Sequence, residues 1–291
     1  MSLISRIKSV LQGGKLDVES RFEKLREITT GSMSEFRIVR ERSSGRILGL
    51  KILDREKTAT FEQRFKGLKK PGEGEIAFSL KHPRIVETFA YGLTTDSQQY
   101  LLMEYLDGYG LNTLIARRSE LLEGRRLPFI RQMAEAIEAV HEAGYIHRDI
   151  SPRNFICRED LASLKLIDFG VTVPATKEFM QPGNRTGNPL YMAPEIVRRR
   201  ATDHRVDVFA FGVSCYQLCA FELPWPSQDA SGTVAMQHDT LAPVDLRTYA
   251  PWLHPVLARS IMRCISADPD ARPESMKQFL HETRKLDSER A

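Results

Sequence analysis

Residues 206–221, VDVFAFGVSCYQLCAF, are apolar almost all the way round a helix rather than along one stripe. A helix of that kind is stable only where neighbours cover every side of it. The second half of the chain must therefore be a helical shell around it, and the flanking sequence agrees. In LPFIRQMAEAIEAVHEAG (127–144), Ile130, Met133, Ala134, Ile137 and Val140 recur at helix spacing, and Gly144 supplies the stop.

The first half reads differently. From about 21 to 106 it is mainly strand: FRIVRER, RILGLKIL and QYLLMEYL are β-rich, and SSG at 43–45 makes a tight turn between the first two. One helical segment interrupts them near 70–81. A small β-rich part thus precedes a larger α-rich part, with the break near Asp107-Gly108. At 291 residues, one large domain or two modest ones are expected. No internal repeat or low-complexity segment is present.

Composition narrows the function classes. With 42% hydrophobic and 27% charged residues the chain reads as a soluble globular protein with a sizeable core. A formal charge of +4 suits anionic ligands such as nucleotides but gives no case for a nucleic-acid binder. The four cysteines, Cys157, Cys215, Cys219 and Cys264, form no CxxC pair, and no secretory signal is visible. Reduced thiols in a cytoplasmic compartment are expected. No apolar run reaches the roughly 18 residues of a transmembrane segment. Residues 1–20 read as an amphipathic extension in which Leu3, Ile4, Ile7, Val10 and Leu11 share a helical face. Packing on the domain that follows is the default reading; peripheral membrane contact through residues 1–12 is the alternative.

The chemistry concentrates in HRDISPRNF (147–155), which puts a carboxylate, Asp149, five positions before a carboxamide, Asn154. Alone, either residue would be read as a turn-former. IDFG (167–170) and APE (193–195) follow in order, and upstream a lysine, Lys51, lies on a strand in LGLK. Together these resemble the signature set of the protein kinase family, over about residues 22–282. The resemblance implies an α+β, bilobal protein-kinase-like fold: an N-lobe at 21–106 with one key helix, and an α-helical C-lobe at 107–291. The kinase domain as a whole would run over 21–285.

The resemblance also implies an ATP-dependent protein kinase that uses Mg2+. Asp149 would be the catalytic base for the substrate hydroxyl, while Asn154 and Asp168 would be the metal ligands, oxygen donors that suit a hard cation. Lys51 would hold the α- and β-phosphates and needs a carboxylate partner. The family spacing, ten positions before the proline of His82-Pro83, selects Glu73, with Glu75 as the alternative. The helix opens at PGEGE, with Pro71 as a first-turn residue and Gly72 and Gly74 weakening it by about 1 kcal/mol each.

Two features depart from the family. The lysine that Ser/Thr kinases carry two residues after the aspartate is Ser151 here, and Arg153, four residues after it, is a tyrosine-kinase-like cation able to offset charge on the γ-phosphoryl group. The GNPLYMAPE segment nevertheless favours Ser/Thr specificity, although the usual threonine is Asn188. The glycine-rich roof over ATP reads TTGSMSEF. Of its glycines only Gly31 remains, among Thr29, Thr30, Ser32, Met33 and Ser34, and Phe36 replaces a valine. Phe36 would crowd the nucleotide pocket, offset by Gly49 where an alanine is usual. Met103, Glu104, Leu106 and Ile156 complete the expected ATP-binding set.

Supporting roles are expected for His147 with Phe169, for Asp207 as anchor of the catalytic loop, and for a Glu195–Arg272 pair. Arg148 would await a phosphate on Thr172, Thr176 or Thr186. RRR at 198–200 reads as a solvated face, with a docking patch as the alternative. A protein substrate is implied, and activation by another kinase or by a second copy in trans is an option. The alternatives to an active protein kinase are a pseudokinase acting as a nucleotide-binding scaffold or regulatory module, and a kinase-fold enzyme acting on a small molecule.

Overall fold

The computed structural model describes residues 15–28, 34–182, 186–225 and 234–291. The expected N-terminal helix at 1–12, and Thr29, Thr30, Gly31, Ser32 and Met33 of the expected roof, lie outside the described residues. Two compact units are present, one ending at Asp107 and the other running over Gly108–Ala291.

The smaller unit is built on a five-stranded antiparallel sheet. Its strands are β1 (Phe22–Ile28), β2 (Ser34–Glu41), β3 (Ile47–Leu53), β4 (Thr88–Leu93) and β5 (Gln99–Glu104), in the order β1-β2-β3-β5-β4. Alternation along β3 decides what each face carries. Leu48, Leu50 and Ile52 enter a buried cluster with Phe22, Val39, Tyr100 and Leu102. Gly49 and Lys51 therefore take the other face. Register adds two neighbours there: Phe36 is opposite Lys51 on β2, and Met103 is opposite Gly49 on β5.

Besides the single helical turn Val18–Arg21, two longer helices accompany the sheet, where one was expected. Besides α2 (Glu73–Ser79) the unit contains α1 (Arg55–Glu62), whose N-cap Asp54 accepts a hydrogen bond from the Lys57 amide. Its weakly apolar pattern hides it in the sequence: of the eight residues only Phe61 is buried. Pro71 is not a first-turn residue either. Gly72 is the extended N-cap, and the helix starts at Glu73, with Glu73 and Glu75 placed where the helix dipole favours acids.

The larger unit surrounds α5 (Arg205–Ala220), all of which is buried except Arg205 and Gln217. Around it are α3 (Leu111–Ala116), α4 (Arg126–Glu142), α6 (Pro255–Cys264) and α7 (Met276–Thr283). A three-stranded sheet orders β6 (Gly108–Gly110), β8 (Phe155–Arg158) and β9 (Leu164–Leu166) as β6-β8-β9, and β7 (Tyr145–Ile146) pairs with β10 (Val173–Pro174). The segment after α7 returns to the start of α4. There the buried Glu289 carboxylate accepts hydrogen bonds from the amides of Gly124 (3.0 Å), Arg126 (2.8 Å) and Leu127 (3.3 Å), and pairs with the Arg126 guanidinium at 3.0 Å. All four cysteines are buried and unbridged. Among the described residues, no helix is long and apolar enough to cross a membrane.

Candidate active site

On the open face of the small sheet, the Lys51 ammonium meets Glu73 Oε1 at 2.5 Å, and both side chains are nearly buried. Glu75 is on the exposed side of α2, so the geometry chooses between the two candidates. The helix reaches Lys51 because it lies tight against β4. A Cβ at Gly74 would stand 2.6 Å from Tyr91 Cβ, so only glycine permits that approach. Met103 is 9% exposed, and the Glu104 carboxylate accepts a hydrogen bond from the Glu87 amide at 2.7 Å, which fixes the segment leading to Leu106.

In the larger unit the loop 147–155 hangs from one buried acid. Asp207, on α5, accepts hydrogen bonds from the amides of His147 and Arg148, both at 2.8 Å. His141 Nε2 on α4 is 2.9 Å from the same carboxylate. Burial would raise the Asp207 pKa, but the hydrogen bonds from His141 and the His147 amide, with the two nearby imidazoles, outweigh it and hold the carboxyl below its ordinary value. Arg148 then takes the left-handed conformation at φ 66° and turns the chain toward Asp149.

Asp149 is 9% exposed, and its two oxygens differ. Oδ2 accepts from Arg153 at 2.6 Å and from the Asn154 amide at 2.9 Å. Oδ1 is buried and has no partner among the described residues. Asn154 gives its N–H groups to Asp149, the second to the backbone carbonyl at 2.7 Å, so its amide oxygen is the atom it can offer a cation. Asp168 also sits at a positive φ of 66° and accepts from the Gly170 amide at 3.1 Å. A carboxylate and an amide oxygen make a hard-donor set that fits magnesium. Ile156 is half-buried on β8. His147 and Phe169 meet edge to face, with ring centroids 5.3 Å apart.

Beyond Asp168 the chain closes back on this loop. The Arg148 guanidinium is buried and donates to the Phe179 carbonyl at 2.6 Å, while Nε and its other terminal nitrogen have no partner among the described residues. Burial pulls its pKa below the usual arginine value. Gly187, at φ 120°, brings its backbone against Arg148; a Cβ there would stand 2.7 Å from the Arg148 carbonyl oxygen. Asn188 caps its own turn, accepting from the Leu190 amide at 3.1 Å. Below it, Glu195 and Arg272 form a buried bidentate pair at 2.7 and 2.9 Å.

A family model for the protein kinase domain matches residues 22–289. The chain belongs to the protein kinase family. Serine/threonine-protein kinase pkn3 of Myxococcus xanthus is 31% identical over 279 residues, covering 90% of this chain and 49% of the relative. Serine/threonine-protein kinase pkn2 of the same organism is 30% identical over 280 residues, 93% of this chain and 33% of the relative. The human hormonally up-regulated neu tumor-associated kinase is 31% identical over 202 residues, 69% of this chain and 28% of the relative. The kinase domain thus spans about half the length of the first of these relatives and a third of the second.

Within each unit the expected residues lie together: Lys51, Glu73, Phe36, Gly49 and Met103 in the smaller, Asp149, Arg153 and Asn154 in the larger. Reading the sequence alone misses His141, which holds Asp207, and Gly187. The available signal for the first was a histidine six residues before His147, one position after Val140 near the end of an amphipathic helix. Of the three candidate acceptors, Thr172 is fully buried and donates to the His147 carbonyl, whereas Thr176 is exposed.

Proposed function

We propose that this kinase domain transfers the γ-phosphoryl group of ATP to serine or threonine hydroxyls of a protein substrate. The observation that carries this reading is the asymmetry of Asp149. Arg153 and Asn154 saturate Oδ2, while the buried Oδ1 retains its lone pairs for a hydroxyl proton. A carboxylate held in this way both orients the attacking oxygen and accepts its proton, the main task left to the protein in phosphoryl transfer. Arg153, permanently charged and adjacent, offsets charge that grows on the transferring group. Lys51, held by Glu73, binds the α- and β-phosphates, and the face carrying Phe36, Gly49 and Met103 with the segment Glu104–Leu106 receives the nucleoside.

Asn154 and Asp168 would hold Mg2+, which neutralises phosphate charge when bound. The complete set of base, lysine–glutamate pair and metal donors supports an active enzyme over a scaffold. Serine and threonine as acceptors are supported by the names of the bacterial relatives and by the GNPLYMAPE segment. We place the protein in the cytoplasm, on its four unbridged thiols.

Incubating the chain with magnesium ATP and a generic protein substrate tests the reading. Phosphoserine or phosphothreonine is expected by mass spectrometry, abolished in Asp149→Asn. Nucleotide binding without transfer would instead support a scaffold, and phosphotyrosine alone would overturn the acceptor class.

A further inference from the structure

The chain enters the smaller unit through a fixed point. Leu16 is 5% exposed and forms a parallel bridge with Thr94. Its amide donates to the Leu93 carbonyl at 2.8 Å, and its carbonyl accepts from the Thr95 amide at 2.9 Å. Parallel pairing gives this entry a direction: the residues before Leu16 are led back along the outer edge of β4, past Leu93 toward Tyr91. Register puts Tyr91 in one row with Leu101 and Lys51, and Leu93 follows on the same face. Tyr91 is 42% exposed and Leu93 45%. Half-buried Phe78 of α2 extends this apolar surface, its ring centroid 5.6 Å from that of Tyr91.

We propose that residues 1–12 of the same chain dock on this surface as an amphipathic helix and so brace α2. Leu3, Ile4, Ile7, Val10 and Leu11 supply the apolar face. Gly13 and Gly14 span at most about 7 Å, which is also the two-residue spacing from Leu93 to Tyr91, so that face reaches Tyr91 while Leu16 stays pinned. Arg6 and Lys8 are the only charged side chains in the segment, short of the roughly four to eight basic residues of a lipid-headgroup site. A tether this short also gives an effective concentration on the order of millimolar, which a second copy in solution does not match. Bracing follows from the close approach of α2 to β4. Gly74 lies against Tyr91 with no room for a side chain, so whatever covers Tyr91 and Phe78 also holds the helix that brings Glu73 to Lys51. The effect on catalysis rests on the kinase reading above; the docking does not.

Hydrogen exchange of the full chain without nucleotide tests this, comparing the unaltered protein with I4D/I7D, L93D and the triple variant. The amides of Glu73–Ser79 are expected to exchange about tenfold faster in I4D/I7D and in L93D. The triple variant should add nothing further, the mark of two groups acting through one contact. The kcat/KM for magnesium ATP should fall in step. Unchanged exchange in I4D/I7D, or effects that add in the triple variant, would overturn the proposal. So would protection that rises with protein concentration, which assigns the surface to a second copy. Protection that appears only with vesicles of phosphatidylcholine and phosphatidylserine assigns the segment to a membrane and overturns it equally. Should L93D speed exchange throughout the five-stranded sheet, L93N decides by the same comparison. Coupled exchange in a chain that transfers no phosphate upholds the docking and overturns the proposed transfer alone.

Discussion

Arg153 was legible as a cation near the phosphoryl group, but its 2.6 Å contact with Asp149 Oδ2 was not. That contact makes it a clamp on the base as well. Arg153→Ala should lower kcat on the order of 100-fold, as the loss of one preorganised donor does, with a smaller change in KM. A change confined to KM would refute the clamp. His238 is a second residue whose state follows from geometry. Its Nδ1 lies 2.8 Å from the Met192 carbonyl, which can only accept, so that nitrogen carries a proton, while the buried Nε2 has no partner among the described residues. Burial between Trp225 and Phe209 depresses its pKa below 6.5, against the opposing pull of the Met192 carbonyl and Asp239. The unfolded chain therefore takes up the proton first, so this contribution to stability is intact above about pH 6.5 and declines as the pH falls through and below that value. Melting curves against pH should show the decline in the native chain and a shallower one in His238→Phe.

At the scale of elements, α2 and the start of α4 invert what local propensity suggests. Replacing a helix-interior glycine with alanine ordinarily stabilises by about 1 kcal/mol. At Gly74 the new methyl would stand 2.6 Å from Tyr91 Cβ, and overpacking of that kind costs about 1–3 kcal/mol. Gly74→Ala should therefore reduce stability in urea and weaken nucleotide binding by pushing Glu73 away from Lys51; a more stable variant would contradict the packing described. Alternation along β3 and the all-round apolar pattern of α5 were readable because each reflects burial on known faces. Helix α1 and the reason for Gly74 were not, because one buries a single phenylalanine and the other answers to a strand 17 residues away in sequence. The Glu289 clasp was equally invisible, since it joins residues 163 positions apart. Glu289→Ala strands the buried Arg126 charge, a loss of about 3–5 kcal/mol, so the melting temperature should drop by roughly 10 °C.

For the whole molecule, the two-part division and the ordered motifs could be read along the chain because long strands dominate before Asp107 and long helices after it. Asp207 as anchor of the catalytic loop was legible from the family resemblance, but His141, which holds the same carboxylate from a separate helix, was not. Both tryptophans, Trp225 and Trp252, and all four cysteines fall after Asp107. Burial pushes the Cys157 and Cys219 thiols up to about 12, and those of Cys215 and Cys264 upward too. A thiol reagent should thus label none of them in the native protein and four after denaturation; rapid native labelling of any one would contradict the burial. Indole fluorescence and thiol trapping are consequently blind to the sheet that carries Lys51. Loss of circular dichroism ahead of both signals would reveal that sheet melting first, with no engineered probe.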